Sequence, residues 1–314
     1  MVDPQANRHQ SPRSTVPPTR RLETPNLISQ PSHLPWCEGA PIWGGATVAT
    51  IQERVDAEPF WFHRMDLGDG VITPGRSGAA TAKLPYFGLP DDMSGMRVLD
   101  VAAAEGFFSF EAERRGASEV VAIDFDPRIL RRFAICADAL GSKISPLQMS
   151  VYDLDPDALG TFDLVMCFGL LYHLRHPLLG LEKVAAMTGG MLLVQSLTLE
   201  LLYYPDLPLA RFRPDGIMSS FGGNASLRDR SVYWEPNAAC MRDMLVHLGM
   251  VDIEHLNPAG PQPLRTRLVR TLRRSKYATW NSSAAFRARS ASDRRDTGLL
   301  DQMPPSLAKL EPNG

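Results

Sequence analysis

The sequence lacks the features that mark disulfide-rich, metal-binding, membrane-spanning and secreted proteins. The four cysteines (Cys37, Cys136, Cys167 and Cys240) never occur in C-x-x-C spacing, so neither a disulfide framework nor a structural metal site is expected. No apolar run reaches about eighteen residues, and residues 1–30 carry no hydrophobic signal segment. The 33 basic and 35 acidic residues nearly cancel, which argues against a whole-surface nucleic-acid binder. These absences predict a cytoplasmic protein without a metal or a membrane partner.

Composition divides the 314 residues into three parts. Residues 1–44 are rich in proline and polar residues, which predicts a disordered N-terminal tail, with an organelle transit peptide as the rival interpretation. Residues 45–274 predict one globular domain. Residues 275–314 are rich in Ser, Ala, Arg and Asp and predict a disordered basic tail. A domain of this length can bury a substantial core.

Short apolar runs alternate with amphipathic segments inside the globular part. Predicted helices cover 106–115, 127–140, 177–187 and 237–248. Predicted strands cover 97–101, 119–123, 144–150, 162–167, 190–196, 251–255 and 264–272. Alternation of this kind is typical of βαβ units, so the fold class is α/β with a mostly parallel sheet.

The loop after the first predicted strand is the first candidate binding element, because ligands of such sheets lie at the carboxyl ends of the strands. It runs from Asp100 to Gly106 and places Ala102 and Ala104 at alternate positions. A dinucleotide fold would need glycine where Phe107 stands, and Asp100 would face phosphates unfavourably. S-adenosylmethionine (SAM) carries cationic groups instead, so the loop favours SAM; a turn that binds nothing is the remaining alternative.

Acidic residues follow the next two strands. Asp124 ends the second strand and is placed to accept both ribose hydroxyls of an adenosine ligand. Asp153 follows the third strand and is placed to accept from an adenine amine. Asp126 precedes Pro127 and is expected to cap the next helix.

Longer segments carry a family resemblance. LDVAAAEG, EVVAIDFDP, FDLVMCFGLLYHLRHP and VYWEPNAACMRDMLVHLGMVDIE together resemble class I SAM-dependent methyltransferases, in the branch of the tRNA wobble-uridine carboxymethyltransferase. The resemblance implies a Rossmann-like sheet of seven strands, mostly parallel with one antiparallel edge strand, and SAM as cofactor. It implies a set of cofactor-binding residues: Asp100, Ala102, Gly106, Asp124, Asp153, Phe168 and Gly169.

The same resemblance also implies a second candidate donor, carboxy-S-adenosylmethionine, which carries an extra carboxylate. In the wobble-uridine enzyme a Lys, a Tyr and an Arg hold the extra carboxylate. Tyr172 matches the Tyr, Lys83 lies one residue off the Lys position, and Arg267 matches the Arg loosely.

Two histidines are candidate bases for the acceptor, since imidazole accepts protons near neutral pH. His173 follows the fourth strand; His63 lies in residues 45–95, a predicted N-terminal lid. With Tyr172 they form the candidate catalytic set, although each histidine can equally be structural. Trp61 either contacts substrate or docks the lid on the sheet.

Two further regions offer candidate contacts. Residues 200–231 predict a substrate-selecting insertion with Tyr203, Tyr204 and Arg211 as candidate contacts. Residues 262–297 hold ten Arg or Lys against two Asp, with Tyr277, Trp280 and Phe286 interleaved for base stacking; a solvated basic tail is the simpler interpretation.

The leading hypothesis is methylation of an oxygen or nitrogen of a small metabolite, in natural-product or sugar chemistry. Modification of tRNA wobble uridine, with SAM or its carboxylated form, is the second. A non-catalytic scaffold with a methyltransferase fold is the third. The sequence does not indicate an oligomeric state.

Overall fold

The structure analysed is a computed structural model, and it describes residues 49–75, 80–199, 206–214, 231–256 and 283–291. The predicted strand at 264–272, Arg267, Tyr203 and Tyr204 lie outside these residues. Within them, no helix is long and apolar enough to cross a membrane.

Seven strands form one sheet in the order β3-β2-β1-β4-β5-β9-β8. All adjacent pairs from β3 to β5 are parallel, whereas β9 runs antiparallel to both β5 and β8. The predicted seven-stranded, mostly parallel α/β sheet is confirmed, and its antiparallel strand lies one position in from the β8 edge. The strands are β1 (Arg97–Val101), β2 (Glu119–Asp124), β3 (Leu147–Gln148), β4 (Phe162–Phe168), β5 (Thr188–Leu197), β8 (Met250–His255) and β9 (Ser283–Ser290).

Helices connect the strands where the sequence predicts them. The clearest is the helix that follows β2: Asp126 accepts from the amide of Arg128 over 2.9 Å at its start, and Gly141 ends it with φ of 64°. The predicted capping role of Asp126 is therefore confirmed. The helices are α1 (Ile51–Ala57), α2 (Phe107–Arg114), α3 (Pro127–Leu140), α4 (Pro156–Leu159), α5 (Pro177–Ala186) and α6 (Ala238–His247).

Both faces of the sheet are covered at its centre, which explains why β1 and β4 are mostly apolar and buried rather than alternating. Side chains of successive strand residues point to opposite faces. Leu99 and Val165 therefore pack against α5 and α6, while Val98 and Leu164 pack against α2, α3 and the N-terminal segment.

A separate two-stranded sheet pairs β6 (Ala210–Phe212) antiparallel with β7 (Trp234–Pro236). It lies in the chain between β5 and α6, the region where the sequence loses its alternation. Parts of the predicted insertion, residues 200–205 and 215–230, lie outside the described residues.

The predicted C-terminal boundary is wrong for residues 283–290. These residues form β9, with seven register pairs to β5, and the ring of Phe286 is 2% exposed. Phe286 is thus a core residue and not a base-stacking one. The third predicted strand also contracts, from residues 144–150 to the two residues of β3.

Candidate functional site

The ends of β2, β1 and β4 lie side by side at the carboxyl edge of the sheet. The loop after β1 contains an alternating series of left-handed residues: φ is 61° at Ala102, 50° at Ala104 and 89° at Gly106. This backbone is the one that alternating glycines adopt without strain, yet two of its three positions are alanine. At Gly106 a Cβ would lie 2.6 Å from the ring of Phe133 and 2.7 Å from that of Phe110, so only glycine fits.

Asp124 joins this loop to β2. Its Oδ2 accepts from the Ala104 amide over 3.3 Å and its Oδ1 from the Asp126 amide over 3.1 Å. Burial raises the pKa of Asp124, and the two amide bonds oppose that rise. The carboxylate is therefore held against the loop, where a hydroxyl donor can reach it.

Asp100 lies deeper, on β1. Burial raises its pKa to about 7; the bond from the Ser109 hydroxyl opposes the rise and the charge of Asp124 adds to it. Two buried carboxylates thus repel one another at this edge. A cationic ligand relieves that repulsion, and a phosphate would increase it.

The end of β4 contributes the residues that the sequence singled out there. Gly169 has φ of 72°, and a Cβ on it would lie 3.5 Å from the hydroxyl oxygen of Tyr172, which is buried. Phe168 contacts the rings of Phe87 and Phe108, each at a centroid distance of 4.6 Å. Phe168 therefore lies beside the start of α2, and Tyr172 lies beside the end of β4.

His173 is tied to the residue just before β7. Its Nδ1 lies 3.0 Å from the carbonyl oxygen and 2.8 Å from the hydroxyl of Ser231. A carbonyl can only accept, whereas a hydroxyl can also donate, so the two contacts correspond to opposite tautomers of the neutral ring. The ring is half-buried beside Tyr172, at a centroid distance of 4.1 Å.

His63 lies in the described part of the predicted lid and contacts the β1 loop. Its Nδ1 is 3.0 Å from Oε2 of Glu105, which is the residue between Ala104 and Gly106. The Thr73 hydroxyl donates to the His63 carbonyl over 2.7 Å and anchors the strand-like segment that carries the histidine. The lid is therefore fastened directly to the β1 loop.

Two predicted substrate contacts have structural roles instead. Trp61 is 2% exposed and its indole N–H donates to the carbonyl of Val55 over 3.1 Å, so it docks α1 and does not face a substrate. Arg211 forms an ion pair with the buried carboxylate of Glu235, which also pairs with Arg213. The arginine thus links β6 to β7.

The other predicted contact residues, Asp153 and Lys83, both lie in short 3-10 segments. Asp153 ends a short 3-10 segment after β3, with an exposed side chain. Lys83 lies in the 3-10 segment Ala80–Tyr86, and its side chain is outside the described atoms. In the described ranges no three His, Cys, Asp or Glu side chains come together as a metal site.

Sequence reasoning missed two residues of this edge. Phe125 is 70% exposed directly after Asp124, which is unusual for a phenylalanine and suits contact with a planar ligand. Its place next to the acid was the available signal. Glu105 was missed because nothing local indicates that an acid in a small-residue loop holds a distant histidine.

Comparison with known proteins gives this site a family. Residues 98–188 match the family described as "Methyltransferase domain". Relatives include a tRNA U34 carboxymethyltransferase of Enterobacter sp. (strain 638), 28% identical over 52% of this chain and 47% of the relative. A magnesium-protoporphyrin O-methyltransferase of Rhodobacter capsulatus is 37% identical over 29% of this chain and 40% of the relative.

A solved structure, the N-terminal domain of EvdMO1 in the presence of SAH and D-fucose, superposes with a TM-score of 0.51 at 18% identity. The alignment covers 76% of this chain and 95% of that one. Residues 98–188 thus match a methyltransferase domain, and the fold is that of the class I SAM-dependent methyltransferases, a family whose cofactor is SAM. It spans between about a third and a half of the length of the first curated relatives.

Proposed function

We propose that this chain binds SAM at the carboxyl edge of the sheet and transfers its methyl group to an oxygen or nitrogen of a small metabolite. The observation that carries the proposal is the left-handed series at Ala102, Ala104 and Gly106, closed onto Asp124 by the Ala104 amide. A loop of this shape lets a ligand approach the backbone, and the acid beside it accepts hydroxyls.

Each residue of the edge has a binding role in this proposal. Asp124 accepts the ribose hydroxyls, and the exposed ring of Phe125 lies against the adenine. Asp100 and Asp124 favour the cationic donor over a phosphate-bearing one. The residues present therefore fit SAM.

The donor supplies an already activated methyl group when it is bound. The protein then has to orient the acceptor, exclude water and take up a proton. The ring contacts of Phe87, Phe108 and Phe168 wall off one side of the site. His63, in contact with the β1 loop, and His173, just after β4, are the two candidate proton acceptors.

Calorimetry with S-adenosylhomocysteine tests the donor site. Asp124→Ala should weaken binding by about 1.5–3 kcal/mol, the cost of losing charged hydrogen bonds. Asp157→Ala serves as the control, since this exposed aspartate lies in α4 away from the loop. Absence of heat with the unaltered protein would remove the enzymatic proposal and favour a scaffold.

The acceptor is tested with radiolabelled SAM and a panel that includes D-fucose, magnesium protoporphyrin, phenols, primary amines and unmodified tRNA. We expect transfer to a small hydroxyl or amine compound. The nearly balanced charge of the chain supports ranking a small metabolite above RNA, because a protein that binds RNA over its whole surface is strongly basic.

Wobble-uridine modification with a carboxylated donor is the second candidate. It is favoured by the hydroxyl of Tyr172 near Gly169, at the position where the resemblance implies a carboxylate contact. Titration of tRNA from low to about 0.15 M salt tests it, since electrostatic binding weakens steeply over that range. Tight binding that persists at the higher salt would make this candidate the better one.

A further inference from the structure

Glu105 occupies an unusual place for a charged residue. It lies inside the β1 loop, is 1% exposed, and makes three contacts to the predicted lid. Its Oε1 accepts from the Phe62 amide over 2.8 Å, and its Oε2 accepts from the His63 amide over 3.4 Å and lies 3.0 Å from His63 Nδ1. A buried carboxylate that only fastened a loop would need the amide bonds alone. The contact to an imidazole indicates a second role.

The carboxylate is ionised around neutral pH. Burial raises the pKa of Glu105, but the bond and charge of His63 and the Phe62 amide together hold it below its ordinary value. Arg132, itself buried, adds a positive charge with Nε 3.6 Å from Oε1. Nearby charges thus keep the acceptor-only form of Glu105.

An ionised carboxylate fixes the tautomer of its partner. Because it can only accept, the Nδ1 of His63 carries the proton and the lone pair of the neutral ring is on Nε2. No described residue makes a hydrogen bond to that Nε2. The ring lies against the first turn of α2, 5.7 Å from the ring of Phe107 and 6.1 Å from that of Phe108.

We propose that Glu105 is the positioning residue of His63, and that the pair serves as the general base of methyl transfer. This rests on the proposed function. As the acceptor oxygen or nitrogen forms its bond to the methyl carbon, the carbon–sulfur bond breaks and its electron pair goes to sulfur. The acceptor's proton goes to Nε2 of His63, and Glu105 stabilises the imidazolium that results.

The variant Glu105→Gln separates this role from fastening. A glutamine oxygen can still accept the shorter bond, from the Phe62 amide, whereas the long bond from the His63 amide is lost. The NH₂ group then faces Nδ1 and donates to it. The neutral ring is forced into the other tautomer, with the proton on Nε2 and no lone pair for the acceptor. Thr73→Val is the matched control, since it removes the bonds of the Thr73 hydroxyl to the His63 carbonyl and from the Met65 amide and leaves Glu105 in place.

Two measurements test the tautomer of His63 without a methyl-accepting substrate. Nitrogen-15 NMR of the ring in the S-adenosylhomocysteine complex should give the Nδ1–H tautomer in the unaltered protein and Nε2–H in Glu105→Gln. Acylation of His63 by diethyl pyrocarbonate should fall about ten-fold in the same variant, because the reagent needs the Nε2 lone pair. Exposed His176 is the internal reference and should react equally in all proteins.

Equal acylation of His63 in both proteins, or an equal loss in Thr73→Val, would overturn the proposal. Loss of S-adenosylhomocysteine binding by the unaltered protein counts against the donor site instead, so the two failures are distinguishable. With the panel member that accepts label, Glu105→Gln should lower kcat about 100-fold while the acceptor KM stays within about three-fold. An unchanged kcat would make Glu105 a purely structural residue.

Discussion

The hydroxyl of Ser109 donates to Oδ2 of Asp100 over 2.6 Å and joins the first turns of α2 to β1. This is the hydrogen bond that opposes the effect of burial on Asp100. The bond does not cancel the effect of burial, since the pKa of the Asp100 carboxyl is raised to about 7. A buried acid that is partly protonated near neutrality makes the folded state sensitive to pH.

We expect the contribution of Asp100 to the free energy of unfolding to fall as pH rises from 3.8, the ordinary pKa of aspartate, to about 7. In that window the folded state binds the proton and the unfolded chain does not, so the decline from this group is at most about 1.4 kcal/mol per pH unit. Above about pH 7 this contribution is constant. Urea denaturation across the window should give a shallower slope for Asp100→Asn, and parallel curves would contradict the expectation.

Glycine should be tolerated or preferred at the two strained alanines. Left-handed alanine costs about 1–2 kcal/mol, whereas glycine adds about 0.5–1 kcal/mol of unfolded-state entropy. Ala102→Gly and Ala104→Gly should therefore each raise stability by up to about 1 kcal/mol. Ala134→Gly, on the exposed side of α3, is the control and should lose about 1 kcal/mol. Thermal unfolding of the three variants gives the comparison.

The two arginines that pair with Glu235 should be needed for stability and not for donor binding. Replacing both Arg211 and Arg213 by alanine leaves a buried carboxylate unpaired, which costs about 3–5 kcal/mol. Arg211→Ala alone should cost far less, since Arg213 remains and the Arg211 side chain is 43% exposed. Arg242→Ala, which breaks only an exposed pair, should have almost no effect. A large change in S-adenosylhomocysteine affinity for Arg211→Ala would contradict this assignment.

Two truncated chains should distinguish the contribution of β9 to stability from that of the residues after it. A chain that stops after residue 274 lacks the strand between β5 and β8, so cooperative unfolding should disappear. A chain that stops after residue 291 keeps the strand and should retain both its melting transition and its S-adenosylhomocysteine affinity. Circular dichroism and calorimetry measure the two, and a cooperative transition in the shorter chain would show that β9 is dispensable.

The parallel half of the sheet was predictable because its strands are continuous apolar runs separated by capped helices. Leu99, Ile123 and Val165 all lie in such runs, and all are buried. The strand β9 was not predictable, because its central residues are small or basic. Ala284, Ala285 and Ala288 have low strand preference, and Arg287 and Arg289 resemble a solvated tail until their pairing with the sheet is known.

The candidate site divides along a similar line. Asp100, Gly106 and Asp124 were found from spacing, since each follows or opens a predicted element. Contacts between segments far apart in the chain could not be predicted from the sequence. One of them joins His63 to Glu105, which are 42 residues apart. Trp61 was ambiguous for the same reason, because only the position of Val55 decides that the indole docks a helix.

The place of β9 also sets the order in which a newly made chain can complete its sheet. Synthesis delivers β5 by residue 197 and β8 by residue 255, yet in the sheet these strands are joined only through residues 283–290. Until those residues leave the ribosome, β5 keeps an edge of unpaired amides and carbonyls that another chain can pair with. A message cut short before residue 283 therefore yields an aggregation-prone product, and translation through β9 is itself a condition for a closed sheet.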